Sequence, residues 1–166
     1  MLGVIMAYRA FGGFILDSML GKLARWLRIL RFDAVYWKKG LDECLIKRTI
    51  EENRVLITRN RALVKRKAPF LFYLIREDKL SDQLLEIVPL LKFLKSSSKK
   101  AGICTVCNAL LQETPKDAVV GQIPAFVFNT IDVFYCCPAC QRIYWEASHL
   151  KLMRDFLGKN HELLLL

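Results

Sequence analysis

Two sets of side chains in this sequence carry chemistry. The first is cysteine: Cys104-Thr105-Val106-Cys107 and Cys137-Pro138-Ala139-Cys140 form two Cys-x-x-Cys pairs. Thiolates at that spacing saturate a tetrahedral Zn²⁺ and leave no position for water, so a structural zinc site through Cys104, Cys107, Cys137 and Cys140 is expected. The interval between the pairs is longer than usual and requires an inserted hairpin. A redox dithiol is the other use of such pairs, and the leftover Cys44 and Cys136 read as buried or free thiols. The second set is oxygen donors. Asp17, Asp42, Asn60 and Asp78 (Glu77 being the lesser candidate there) each lie just beyond the C-terminal end of a strand-like run. In a parallel sheet those ends converge, and one crevice could gather all of them.

The elements that must position these groups follow from periodicity. Phe14-Ile15-Leu16 is an unbroken apolar run suited to a strand buried on both faces. From Met19 the period becomes helical: Leu20, Leu23, Ala24, Leu27 and Leu30 share one face, and Lys22, Arg25 and Arg28 share another. Ala34 to Trp37 reads as a second strand, and Asp42 opens a helix to about Asn53. The bland account of Asp42 is an N-cap that satisfies free backbone N–H groups. Val55 to Thr58 is a third strand, followed by Arg59-Asn60-Arg61 and a short basic helix with Lys65, Arg66 and Lys67. Phe70 to Ile75 is a fourth strand, and Leu80 to Lys95 a long helix with Pro89 as a kink. Strands alternating with helices predict an α/β parallel sheet flanked by helices. Ser96-Ser97-Ser98-Lys99-Lys100 is the boundary, which divides the chain into an α/β domain at 1–95, a linker at 96–100, a cysteine-bearing unit with a C-terminal helix at 101–157 and a tail at 158–166. Within the cysteine-bearing unit, Ala125 to Phe128 and Val133 to Cys136 read as strands.

The 166 residues carry a formal net charge of +10, which favours a polyanionic partner, and the clustering of the cations near the proposed crevice favours nucleic acid. For each cation the alternative is a solvated basic face. A chain of this length needs no disulfide staples, so paired cysteines fit a reducing, cytoplasmic compartment. The opening MLGVIMAYRAFGGF is interrupted by Arg9 and two glycines and reads as an extension or an extra strand, neither a signal nor a membrane anchor. The Leu163 to Leu166 tail is a candidate contact for a protein partner. Trp26 and Trp37 lie in apolar runs and read as core.

The run Asp17-Ser18-Met19-Leu20-Gly21-Lys22-Leu23-Ala24-Arg25-Trp26-Leu27-Arg28 resembles the opening of the Mut-seven C-terminal ribonuclease family, a PIN-like nuclease domain joined to a zinc ribbon. Tyr144-Trp145-Glu146-Ala147-Ser148-His149 is similar to that family's Tyr-Trp-x-Gly-Ser-His ending, with Ala147 in place of Gly. The resemblance covers about residues 14 to 157 and implies a metal-dependent ribonuclease. It implies that Asp17 and Asp42 hold catalytic Mg²⁺ or Mn²⁺, beside the structural zinc, and that RNA is the substrate. Lys22, Arg25, Arg28, Arg59, Arg61, Lys65 and Arg66 would form its phosphate track. One position departs: where the family has Thr-Arg-Asp, this chain has Thr58-Arg59-Asn60, a ligand oxygen without charge. Asp78 could restore that charge, or could be a solvated turn acid. An RNA-binding or partner-docking protein with a degenerate nuclease site is the competing class.

Overall fold

The computed structural model describes residues 13–66, 69–94 and 102–145. The expected N-terminal extension, Lys67, the 96–100 linker, the Ser148-His149 motif, the C-terminal helix and the tail lie outside them.

Four parallel strands form the first sheet: β1 (Phe14–Leu16), β2 (Ala34–Tyr36), β3 (Val55–Thr58) and β4 (Phe72–Leu74), in the order β2-β1-β3-β4. Between them run α1 (Gly21–Ile29), α2 (Asp42–Glu51) and the single turn α3 (Arg61–Val64), and α4 (Leu80–Leu94) follows β4. Alternation along the central strands decides which helix covers which face. Phe14 and Leu16 of β1, with Val55 and Ile57 of β3, pack against Leu23 and Leu27 of α1 and Leu84, Ile87 and Leu91 of α4. Ile15 and Leu56 point the other way, onto Leu45 and Ile46 of α2 and Leu63 of α3. The sheet is therefore covered on both sides, which explains why its central strands are apolar at every position up to Thr58, the last residue of β3.

Several boundaries move from expectation for local reasons. Helix α1 begins at Gly21 rather than Met19, whose side chain is exposed. Helix α2 ends at Glu51, because Asn53 adopts the left-handed conformation with φ +51° that stops a helix. Its N-cap is Leu41, and Asp42 is the first helical residue with no side-chain capping bond, so capping does not account for Asp42. Pro89 sits inside α4 without ending it.

The second unit is a three-stranded antiparallel sheet of β5 (Gln112–Thr114), β6 (Phe134–Cys136) and β7 (Ile143–Trp145), with β6 central. The expected strand at Ala125 to Phe128 is instead a helix, α5 (Ala125–Thr130). A short apolar run does not distinguish the two states, and here Pro124 at the N-cap, with φ −58°, starts the helical turn that closes with the Phe128 N–H on the Pro124 carbonyl. The true partner strand, β5, is polar and exposed.

Candidate active site and metal centre

In the order β2-β1-β3-β4, the chain leaves β1 in one direction to reach β2 and then crosses to β3 on the other side. The switch point lies between the carboxyl ends of β1 and β3, where such sheets bind ligands. Asp17 sits there, only 4% exposed. Its Oδ1 accepts the Met19 N–H at 2.9 Å, and its Oδ2 accepts the Arg59 N–H at 3.0 Å and the Thr58 hydroxyl. The backbone at Asp17 is fixed as well, its N–H donating to Ile57 O at 3.3 Å and its carbonyl accepting the Leu20 N–H at 3.1 Å. A carboxylate offers about four acceptor positions; three are taken, and the one remaining, on Oδ1, can face a cation.

Around Asp17 the other expected residues are deployed differently. Asn60 caps α3: its Oδ1 accepts the Ala62 N–H at 2.9 Å, while its own N–H donates to the Thr58 hydroxyl oxygen at 2.9 Å. Asp42 pairs with Arg66 at 3.7 Å, and the same guanidinium reaches Glu43 at 3.6 Å. Asp78, largely exposed, pairs with Arg59. Among the described residues, the four cysteines are the one set of three or more Cys, His, Asp or Glu whose ligand atoms lie within 4.8 Å of one another, so the acids do not form such a cluster. Lys22, Arg25, Arg61 and Lys65 are exposed.

Arg28 has left the cationic face expected for it. Its side chain is buried, with Nε donating to Ala34 O at 2.7 Å and Nη1 to Val106 O at 2.8 Å and Thr105 O at 3.2 Å. Burial pulls its pKa down from the ordinary value, while the neighbouring thiols of Cys104 and Cys107 and the Asp33 carboxylate favour the charged form. Beside it, Asn108 accepts the Ala34 N–H at 2.9 Å and donates to Asp33 at 2.7 Å. The first cysteine loop is thereby bonded to the edge of the large sheet.

The cysteine loops are near copies. In each, the first cysteine N–H bonds five residues on (Cys104 to Ala109 O, Cys137 to Arg142 O), and its carbonyl accepts from the residue after the second cysteine. Those residues, Asn108 with φ +70° and Gln141 with φ +59°, take the left-handed turn. The sulfurs interleave, Cys104 to Cys140 at 3.6 Å and Cys107 to Cys137 at 3.3 Å. Thiolates about 2.3 Å from a tetrahedral Zn²⁺ stand about 3.8 Å apart, so the set fits that ion, and convergence of both pairs is what a redox pair does not need. Burial pushes the Cys104 thiol up, but the Tyr144 hydroxyl at 3.0 Å and nearby backbone N–H groups outweigh it and bring the thiol to about 6. Tyr144 itself is pushed up to about 12 by burial and by that same bond.

Thr58, Tyr144 and Asn108 were not foreseen from the sequence. A hydroxyl closing the aliphatic run Val55-Leu56-Ile57 was the available sign for Thr58.

Among the described residues no helix is long and apolar enough to cross a membrane. No curated protein and no solved structure matches the chain. A family model described as the Mut7-C RNAse domain matches residues 12–157, nearly the whole sequence. With a buried acid at the switch point of a parallel sheet and a four-thiol cluster docked on that sheet's edge, the chain belongs to the Mut7-C RNAse domain family.

Proposed function

We propose that this protein is a ribonuclease hydrolysing RNA phosphodiester bonds with the help of Mg²⁺ or Mn²⁺ at the Asp17 crevice, and that its zinc is purely structural. The observation that carries the reading is Asp17, a nearly buried carboxylate aimed by three donors with one acceptor position to spare. Asp17 and Asp42 would hold the cation, Asn60 would add a neutral oxygen, and Asp78 a further charge from beyond β4. Such an ion, when bound, activates water and offsets charge developing on the phosphate. The chain's own groups do the rest. Thr58 and the Arg59 N–H keep the Asp17 carboxylate from rotating. Lys22, Arg25, Arg61 and Lys65 hold phosphates, and Arg59 and Arg66 join them by exchanging Asp78 and Asp42 for substrate. Arg28 serves the domain junction instead, its donors being committed to carbonyls. A four-thiolate zinc centre suits a reducing compartment such as the cytoplasm.

A second reading is an RNA-binding protein whose nuclease site has degenerated. It is favoured by Asn60, whose side-chain oxygen is spent on the helix cap. Cleavage of labelled RNA with Mg²⁺ or Mn²⁺ by wild type, Asp17→Asn and Asn60→Asp separates the two. An enzyme loses cleavage in Asp17→Asn and gains roughly tenfold to a thousandfold in Asn60→Asp, as an added ligand charge near a divalent ion implies. Equal, metal-independent background from all three proteins would refute the nuclease and leave the binding module.

A further inference from the structure

Between the first helix of the α/β unit and the last strand of the zinc unit lies an open cleft of about 580 Å³. Its walls come from both units: Gly21, Arg25 and Tyr36 on one side, Arg142 and Trp145 on the other, with Arg28 between them. Three of its lining residues are arginines and none is acidic. Arg28 is spent on backbone carbonyls, but Arg25 and Arg142 are exposed, and among the described residues neither is paired with a carboxylate. Like charges lining one cleft repel, and an anion between them relieves that repulsion. One lining residue, Tyr36, connects the cleft to the segment that follows Asp17. The Tyr36 hydroxyl donates to the carbonyl of Ser18, the residue after Asp17, at 3.0 Å, and a Cβ on Gly21 would stand 2.9 Å from the Tyr36 ring. Only glycine leaves that ring where it is.

We propose that this cleft receives single-stranded RNA leading to Asp17, with one phosphate held by Arg25 of the α/β unit and another by Arg142 of the zinc unit. Arg142 belongs to no part of the crevice described above, so the zinc unit gains a direct share in substrate binding. The proposal rests on the nuclease reading for the direction of the strand, though not for its binding. A single strand is favoured over a duplex by size, since cavities of about 300–1,000 Å³ take ligands of drug size, near that of a nucleotide. Tyr36 and Trp145 in the lining add aromatic surface for unpaired bases.

The test is binding of a fluorescein-labelled single-stranded oligoribonucleotide to zinc-loaded full-length protein, followed by anisotropy across a salt series with no divalent cation added. Arg25→Ala and Arg142→Ala should each weaken binding about three- to tenfold and lower the slope of log affinity against log salt by about 0.7. Lys47→Ala, on the exposed side of α2, should bind as wild type. Zinc content, measured on each variant, shows that the ribbon remains folded. Should Arg142→Ala lose its zinc, Arg25→Ala tests the same cleft from the other wall. Unchanged affinity and slope in the arginine variants would overturn the proposal, and a duplex bound as tightly with the same Arg142 dependence would overturn the single-strand assignment. RNA held through Arg25 and Arg142 by a wild-type protein that cuts nothing would refute the nuclease reading and leave the cleft standing.

Discussion

Replacing Arg28 with alanine tests whether the two units are joined through one side chain. The guanidinium makes two short bonds, to Ala34 O at 2.7 Å and Val106 O at 2.8 Å, and a longer one to Thr105 O at 3.2 Å. Hydrogen bonds to a charged group contribute about 1.5–3 kcal/mol each. The neighbouring cleft would admit water to the freed carbonyls, so the net loss is placed near the value of the two short bonds at the low end of that range, about 3 kcal/mol. For a chain of this size that corresponds to a fall in Tm of roughly 6–12 °C. Zinc binding should suffer with it. The Arg28 contacts grip Thr105 and Val106 inside the first cysteine loop, so a loop that no longer docks is paid for out of metal affinity, by up to about a hundredfold. Arg28→Lys should recover only part, because one ammonium cannot span carbonyls on two units as a planar fork does. The assay is thermal unfolding with chelator competition for zinc, and amide exchange over residues 102–111. Wild-type Tm, zinc affinity and exchange in Arg28→Ala would refute the coupling.

Other outcomes follow from the same geometry. Elemental analysis of freshly purified protein should find one zinc per chain, and chelation should raise amide exchange through 102–145 far more than in the large sheet. Tyr144→Phe removes one of the hydrogen bonds that together, with those from the Cys107 and Val106 backbone, hold the Cys104 thiol down at about 6. A lowered thiol stays ionised until pH falls through about 6, so the variant's thiol protonates earlier and zinc should be lost at a higher pH during acid titration with a colorimetric chelator. Asn108→Gly keeps the left-handed turn while deleting the bonds to Ala34 and Asp33, and should therefore lower docking stability while zinc stoichiometry holds. Asn60→Asp should leave unfolding within about 0.5 kcal/mol of wild type, since Asp caps a helix about as well as Asn, so any gain in cleavage by that variant reflects charge rather than folding.

The large sheet was legible because its strands are buried on both faces: Phe14-Ile15-Leu16 and Val55-Leu56-Ile57 have no polar position to blur the pattern. That Asp17 and Asn60 lie beyond the carboxyl ends of neighbouring parallel strands followed from strand direction alone. What the acids do there did not, because the partners of Asp17 are a hydroxyl and two backbone N–H groups that no spacing encodes. The small sheet was harder. A unit organised around thiols needs little apolar patterning, so Gln112–Thr114 pairs as a strand without looking like one. Arg28 was misread for a different reason. Helical period shows which side chains share a face but not what covers that face, and its covering residues lie 77 and 78 positions later.

Strand β2 is the outer strand of the large sheet on the side where Ala34 meets Arg28 and Asn108. In a parallel pair, alternate residues turn their backbone groups inward. Asp33 O and the Trp37 N–H bond to β1, which leaves the N–H and carbonyl of Ala34 on the open side. An uncovered row of that kind is a template on which a second chain can add a strand. Asn108 takes the N–H and Arg28 the carbonyl, so the zinc unit occupies the place where an intruding strand would begin. Losing the metal would then uncover a strand edge as well as loosen a small domain, leaving the backbone of Ala34 open to pairing with another chain.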